Sequence, residues 1–295
     1  MNIASAARLL SLAAIWGGSF LFMRIASDEV NAYWIAESRL LLASVFLSVV
    51  AIAGRKALSL GQQWRHYLIL GLFNSAAPFL LFAYAAAEVS ASLLSIINAT
   101  APVWGALITA IASRQLPLPR QALGMVVGIS GVSVLIGMDA SVQASASMLP
   151  VIAALVATFC YGIASYYAST SQGIGPFANA HGSLWGSAMI LLPASFWVGG
   201  PTVASTDAAI ALIALGVLCT GVAYLLFFKI LADDGPTSAL SVTFVIPLFG
   251  VLFGHLFLDE AIGWHTFGGG LLILGGTALV TGFLPGQLRR LKRGS

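Results

Sequence analysis

The chain has 295 residues, of which 59% are hydrophobic and only 8% charged, with a formal net charge of +3. Soluble domains carry about 25% charged residues, so most of this surface meets lipid and not water. The weak positive charge gives no footing for nucleic acid, and the two cysteines, Cys160 and Cys219, lie in apolar runs without a disulfide framework or metal-ligand spacing.

A membrane helix needs about 20 mostly apolar residues. Ten such runs follow one another: 4–25, 31–53, 66–87, 90–112, 119–138, 147–168, 176–198, 207–231, 236–258 and 262–284. No small-residue cleavage site follows the first run, so it reads as a membrane helix and not a leader. It carries Trp16 well inside and Arg24 near its end. The second holds Glu37 and Arg39, charged groups that are costly in a bilayer and therefore functional candidates. Pairing of Glu37 with Arg24 would lower that cost and clamp helices 1 and 2; contact with solute or proton is the alternative, with Arg39 the deeper of the two. The third run contains Ser75 and Phe79.

The fourth run reads "SLLSIINATAPVW" over residues 92–104. Ser95, Asn98 and Pro102 follow 3–4 spacing and so share a face. Proline withholds a backbone donor from the carbonyl four residues earlier, here Asn98, about 12 Å into the membrane. Beside a watery cavity such a group can be solvated or bind solute. The fifth run contains "GMVVG", residues 124–128, which allows close helix approach within the chain or, alternatively, at a dimer seam. A monomer is expected.

Later runs add Tyr161, His181, Trp185, Thr220, Tyr224, Thr243 and Pro247 inside the membrane, with Lys229 near a helix end. A Trp or Tyr at depth wants a partner for its polar hydrogen, which points to an internal cavity. His181 titrates near neutral pH when unperturbed and is a coupling candidate beside Glu37; a neutral interhelical hydrogen bond is the plainer role. Trp64 and Trp264 fall at the interfaces. Eleven of the thirteen basic residues fall on one side if the N-terminus is cytoplasmic, which predicts that both termini are cytoplasmic.

Pro102 and Pro247 lie 145 residues apart, and the same offset matches other positions without gaps. Gly17 meets Gly162, Gly105 meets Gly250, and Gly124 and Gly131 meet Gly269 and Gly276. Trp16 meets Tyr161, Phe79 meets Tyr224, Ser75 meets Thr220, and Asn98 meets Thr243. Residues 1–138 and 147–285 are therefore read as two repeats, followed by a basic tail, 286–295. Five helices per unit is an odd number, so the second copy enters from the opposite face. The expected fold is all-α integral membrane, with ten transmembrane helices as two inverted five-helix repeats.

The motifs resemble those of the drug/metabolite transporter superfamily in its ten-helix, EamA-type form. They are "WGGSFLFMRIA" at 16–26, "ESRLLLASVFL" at 37–47, the paired "APVWGAL" and "IPLFGVL", and "LDEAIGWHTFGGGLLILGGTALV" after the ninth helix. Arg114-Gln115 departs from the pattern where the second repeat has Asp259-Glu260. The resemblance implies export of amino acids, aromatic ones included, with drugs or nucleotide-like metabolites as the alternative. The sequence has no Walker-type loop and no H-E-x-x-H or G-x-S-x-G motif, so neither ATP hydrolysis nor catalysis is expected.

The reading is a secondary transporter working by alternating access, without cofactor or metal, whose partners are a small solute and the bilayer. A non-transporting membrane receptor, or a membrane enzyme, is the rival class, and the resemblance to bacterial exporters implies a bacterial inner-membrane location. Solute contacts are expected from Trp16, Arg39, Ser75, Phe79, Ser95, Asn98, Tyr161, Trp185, Thr220, Tyr224 and Thr243, with Pro102 and Pro247 as hinges. Helices 1 and 6, and 3 and 8, are expected to line one central cavity.

Overall fold

The structure is a computed structural model that describes residues 3–55, 60–139, 147–171, 174–200 and 205–282. The basic tail and Lys56 lie outside the described residues. Among the described residues every regular element is helical. The first half comprises α1 (Ile3–Ser27), α2 (Ala32–Ala53), α3 (Leu60–Gly71), α4 (Ala77–Ala86), α5 (Ala91–Asn98), α6 (Ala101–Ser113) and α7 (Pro119–Met138). The second comprises α8 (Leu149–Thr170), α9 (Pro176–Leu191), α10 (Ser195–Val198), α11 (Thr206–Ile213), α12 (Ala223–Leu258) and α13 (Trp264–Thr281).

Among the described residues eight helices are long and apolar enough to cross a bilayer, so this is a multi-pass integral membrane protein. The seventh expected span is α9 plus α10, divided by a 3-10 turn at Leu192–Ala194. The tenth, α13, has 18 residues, five of them glycine. Helix starts follow side-chain chemistry. Asn31, Ser90 and Ser205 accept hydrogen bonds from the backbone N–H groups of Trp34, Leu93 and Ala208 at 3.0, 3.2 and 3.1 Å.

The lipid-facing surface is apolar, with Ile52, Val126 and Phe196 exposed, and Trp264 is 90% exposed at a helix end. The interior is built from alanine, leucine and glycine. With lipid outside, helices gain little from apolar burial alone, and close backbone approach across small residues supplies the packing. Gly17 of α1 packs on Ile246, Phe249 and Gly250 of α12, while Gly162 of α8 packs on Trp104 and Gly105 of α6. Gly71 meets Ser187 of α9, and Gly216 meets Leu42 of α2. Gly124 abuts Gly276, and Gly131 abuts Gly269. Each pair of contacts maps onto the other by the 145-residue offset. The Gly124–Gly128 motif is thus used within the chain, against α13.

Two local departures position the interior. The chain winds as π-helix at Leu72–Ala76, between α3 and α4, and at Ala214–Val222, between α11 and α12. A π turn adds a residue to the helical turn and recurs at functional sites. The Thr220 hydroxyl marks it by donating to the Leu215 carbonyl, five residues back, at 2.8 Å. The second departure is the break at Ala99–Thr100, between α5 and α6. There Thr277 Oγ1 of α13 donates to the Ala99 carbonyl at 2.8 Å, replacing a donor lost from the helix.

The prolines expected to act as paired hinges behave differently. Pro102 lies in the first turn of α6, just after the break, whereas α12 runs on through Pro247. The kink in α12 is at Gly235 instead, with φ 81°. Its offset equivalent is Ser90, the cap of α5. The expected Glu37–Arg24 pair is also absent: Arg24 bonds Asp28, one turn away on the same helix, at 2.8 Å. A partner at i+4 needs no interhelical approach.

Candidate solute cavity

A cavity of about 310 Å³ sits among α1, α2, α4, α8, α12 and the two π segments. Trp16, Phe79, Phe82, Tyr161, Tyr224 and Phe227 give it an aromatic wall. Trp16 and Phe227 have ring centroids 5.7 Å apart, and Phe82 and Tyr161 stack at 6.2 Å. The polar groups are few: Ser19, Arg39, Asn74, Asn98, Ser165, Thr220 and Thr243. Asn74 Nδ2 donates to the Tyr224 hydroxyl at 3.1 Å, fixing the two to one another.

Arg39 is 6% exposed. Its Nε donates to Thr220 Oγ1 at 2.9 Å, and its guanidinium carbon lies 3.8 Å from the centroid of the Phe79 ring. The third close group is the Met23 sulfur, 3.9 Å from Nη1. Among the described residues the ion pairs are Arg8–Asp233, Arg24–Asp28 and Lys229–Asp233, so no carboxylate compensates Arg39. No Asp or Glu lines the cavity either. Arginine stays charged and presents a planar fork suited to a carboxylate. Two opposite unit charges 4 Å apart attract by about 4 kcal/mol at an effective dielectric near 20. The arrangement has the chemistry to accept an anionic group attached to an apolar or aromatic body.

The cavity continues into an opening of about 880 Å³, with Ala101, Ser165, Leu240 and Thr243 common to both. The opening runs past Pro102 and Gly105 to Ser113, Gln115 and Gln121, the end of the bundle that carries Arg114 and Arg120. The opposite end is tied across the two halves. Glu260 accepts from Ala91 N at 2.6 Å, from Ser92 N at 2.9 Å and from Ser92 Oγ at 2.5 Å. A carboxylate on free N–H groups at a helix start satisfies both the donors and the helix dipole. Glu29 Oε2 accepts from Ser205 N at 2.9 Å, a second tie at the same end.

Of the residues expected at the site, Trp16, Arg39, Phe79, Asn98, Tyr161, Thr220, Tyr224 and Thr243 line the cavity. Pro102 lines the opening. The others lie elsewhere. Ser95 bonds the Ser92 carbonyl at 2.7 Å and faces Gly250, filling the α5–α12 contact. Ser75 is fully buried beside the cavity, while its neighbour Asn74 faces in. Trp185 Nε1 donates to Ser48 Oγ at 3.1 Å, and His181 Nε2 lies 2.8 Å from the same oxygen, both at the α2–α9 contact. Pro247 lines neither space. The sequence reading missed Ser19, Asn74, Ser165 and Cys219 in the wall, and Glu260 as a tie. Asn74 and Cys219 are offset equivalents, a signal that was present. Glu260 gives no local signal, because its partners are 168 and 169 residues away.

Residues 5–137 and 148–282 each match the EamA-like transporter family. The chain is 26% identical over 282 residues to an uncharacterized transporter of Archaeoglobus fulgidus, covering 90% of this chain and 93% of that one. It is 23% identical over 277 residues to an uncharacterized transporter of Bacillus subtilis, covering 92% and 95%. A "probable terminal-alkyne amino-acid exporter" of Streptantibioticus cattleyicolor is 23% identical over 294 residues, covering 98% and 97%. A solved crystal structure at 17% identity superposes with a TM-score of 0.66 over 99% of both chains, so the fold is shared. With both halves matched, the chain belongs to the EamA-like transporter family.

Proposed function

We propose that this protein exports small carboxylate-bearing metabolites, amino acids above all, by alternating access across a bacterial inner membrane. The observation that carries the reading is Arg39, a buried guanidinium without a counter-ion among the described residues, set against Phe79 in an aromatic cavity. A carboxylate on the solute supplies the missing negative charge, and the rings take the side chain. An ammonium group would find acceptors in Asn74, Asn98 and Ser165. The cavity volume of about 310 Å³ is at the small end for ligand pockets, which suits a metabolite of this size. A cationic drug would meet Arg39 with like charge. The name of one relative, a probable terminal-alkyne amino-acid exporter, supports the same solute class.

Ten spans in two inverted repeats suit this mechanism. The paired glycine contacts, the two π segments and the separate family matches of the two halves support that arrangement. Near-equivalent halves can exchange roles, so that states open to either side are close in energy. With the basic ends of the helices cytoplasmic, the present opening is inward and the Glu260 end is closed. Both termini are then inside, the chain acts as a monomer, and its work is transport and not catalysis.

Purified protein in liposomes, loaded with unlabelled amino acid and presented with the labelled one, tests the proposal by counterflow. Phenylalanine, leucine, serine and glutamate sample the side-chain range. At least one neutral amino acid is expected to exchange well above protein-free vesicles. Exchange at the protein-free rate for the whole panel would remove the amino-acid reading.

A further inference from the structure

The second feature of α2 lies away from the cavity. Glu37 is fully buried, and neither carboxyl oxygen has a hydrogen-bond partner among the described residues. The Ser44 hydroxyl and His181 Nδ1 are likewise buried and without partners there. Seven side-chain atoms share that condition among the described residues, and four of them belong to these three residues.

Glu37 and Ser44 lie on one stripe of α2, and His181 of α9 meets that stripe at Ser48. At 100° per residue, Tyr33, Glu37, Ser44 and Ser48 fall within about 60° of arc on α2. Both ends of that stripe touch the span formed by α9 and its 3-10 extension. Tyr33 donates to the Leu191 carbonyl at 3.3 Å, and Ser48 Oγ lies 2.8 Å from His181 Nε2. Leu184 and Ala188 of α9 pack between, against Ala36, Leu40 and Ala43. None of Glu37, Ser44, Ser48 and His181 lines the cavity or its opening.

The ionisable groups nearby are few. Tyr33 lies one turn earlier on α2, and His181 faces the stripe from α9. Arg39, two residues from Glu37, points to the opposite side, where it meets Thr220 and where Cys219 lines the cavity. The described ion pairs include no cation for Glu37. An ionised carboxylate with neither cation nor hydrogen bond is far costlier in such surroundings than the neutral acid.

We propose that Glu37 is a proton-binding site separate from the solute cavity, and that the α2–α9 contact from Glu37 through Ser44 and Ser48 to His181 couples proton movement to export. The proposal rests on the transport reading above. The carboxylic acid carries one proton. When the two spans part during access switching, water enters, and the acid gives that proton to water, becoming carboxylate and leaving hydronium. Serine hydroxyls both donate and accept, and imidazole takes or gives a proton near neutrality, so the stripe has the chemistry of a relay. Glu37 and Ser48 are about 16 Å apart along the helix, and with His181 beside Ser48 one titratable group lies towards each face.

The test uses liposomes with labelled L-phenylalanine, a trapped pH dye, and wild-type protein beside Glu37→Gln, Glu37→Asp and His181→Gln. In wild type an imposed pH gradient drives uphill accumulation. Glu37→Gln is expected to keep gradient-free counterflow within about two-fold and to lose uphill accumulation by about ten-fold or more, while Glu37→Asp recovers it and His181→Gln slows it. A second readout needs no solute. The infrared difference spectrum between about pH 5 and about pH 9 should contain a protonated-carboxyl band that Glu37→Gln removes. Counterflow in wild type without any response to the pH gradient overturns the coupling, as does full uphill accumulation by Glu37→Gln. An unchanged infrared band in Glu37→Gln overturns the proton site. Absence of wild-type counterflow across the amino-acid panel overturns the transport reading instead, and the infrared band then decides the proton site by itself.

Discussion

Residues 114–115 and 259–260 occupy equivalent places in the two halves, and they stand at opposite ends of the bundle. Arg114 and Asp259 both end a helix in the left-handed conformation, with φ 55° and 51°. The next residue differs. Glu260 reaches the start of α5 and bonds its first N–H groups, and that end is closed. Gln115 lines the mouth of the opening. The residues equivalent to Ala91 and Ser92 are Pro236 and Thr237, at the start of the second arm of α12. One backbone device is thus used twice, with a carboxylate where the ends meet and a neutral amide where they do not. On the alternating-access proposal, the repeat sets where gates form and single side chains set which of them is shut.

The largest expected effect breaks the symmetry of the packing itself. A methyl at Gly17 would lie 2.7 Å from Phe249 Cβ, and one at Gly162 would lie 2.9 Å from Gly105 N. Gly17→Ala and Gly162→Ala should each lower stability by about 1–3 kcal/mol, read as a drop in Tm in detergent. A wild-type Tm for either variant would mean that the matched contacts do not hold the halves together.

Next comes Glu260→Ala, which strips the acceptor from two backbone donors and one hydroxyl. Loss of such bonds costs about 1–3 kcal/mol. A cysteine placed at Ser19 in the cavity, with Cys160 and Cys219 replaced, reports the result. An impermeant thiol reagent should reach it from the basic end in wild type and from both ends in Glu260→Ala. Labelling that stays one-sided would show that the closed end is held by other contacts.

The smallest effect is the mirror change, Gln115→Glu. A carboxylate near a helix start contributes about 0.3–1 kcal/mol, enough to shift access by a few-fold. Labelling of the Ser19 cysteine should then fall from the basic end. An increase there would contradict the equivalence of the two sites.

Much of the fold is legible in the sequence because two strong constraints act on it. Lipid demands long apolar runs, and duplication leaves one constant offset. The cavity is partly legible for the same reasons: Trp16 and Tyr161, or Thr220 and Tyr224, are deep polar-tipped groups at matched positions. Depth does not give azimuth, however. Trp185 and His181 are as deep as the cavity residues but face Ser48. A regular helical period also fails through a π turn, which is how Asn74 and not Ser75 comes to face inward. The Glu37–Arg24 pairing failed because Asp28 stands closer in sequence to Arg24. Prolines at matched positions did not mean matched bends, since the break before α6 also draws on Thr277 of α13, while Gly235 bends α12.

The central claim is that Arg39 receives a carboxylate from the solute. Counterflow of L-phenylalanine against L-phenylalaninamide, which keeps the ring and the amine but lacks the acid, tests it most directly. Wild-type protein should exchange the acid at least about ten-fold faster than the amide, and Arg39→Gln should erase that preference chiefly by slowing the acid. Equal exchange of acid and amide by wild type, or an unchanged preference in Arg39→Gln, would contradict the account.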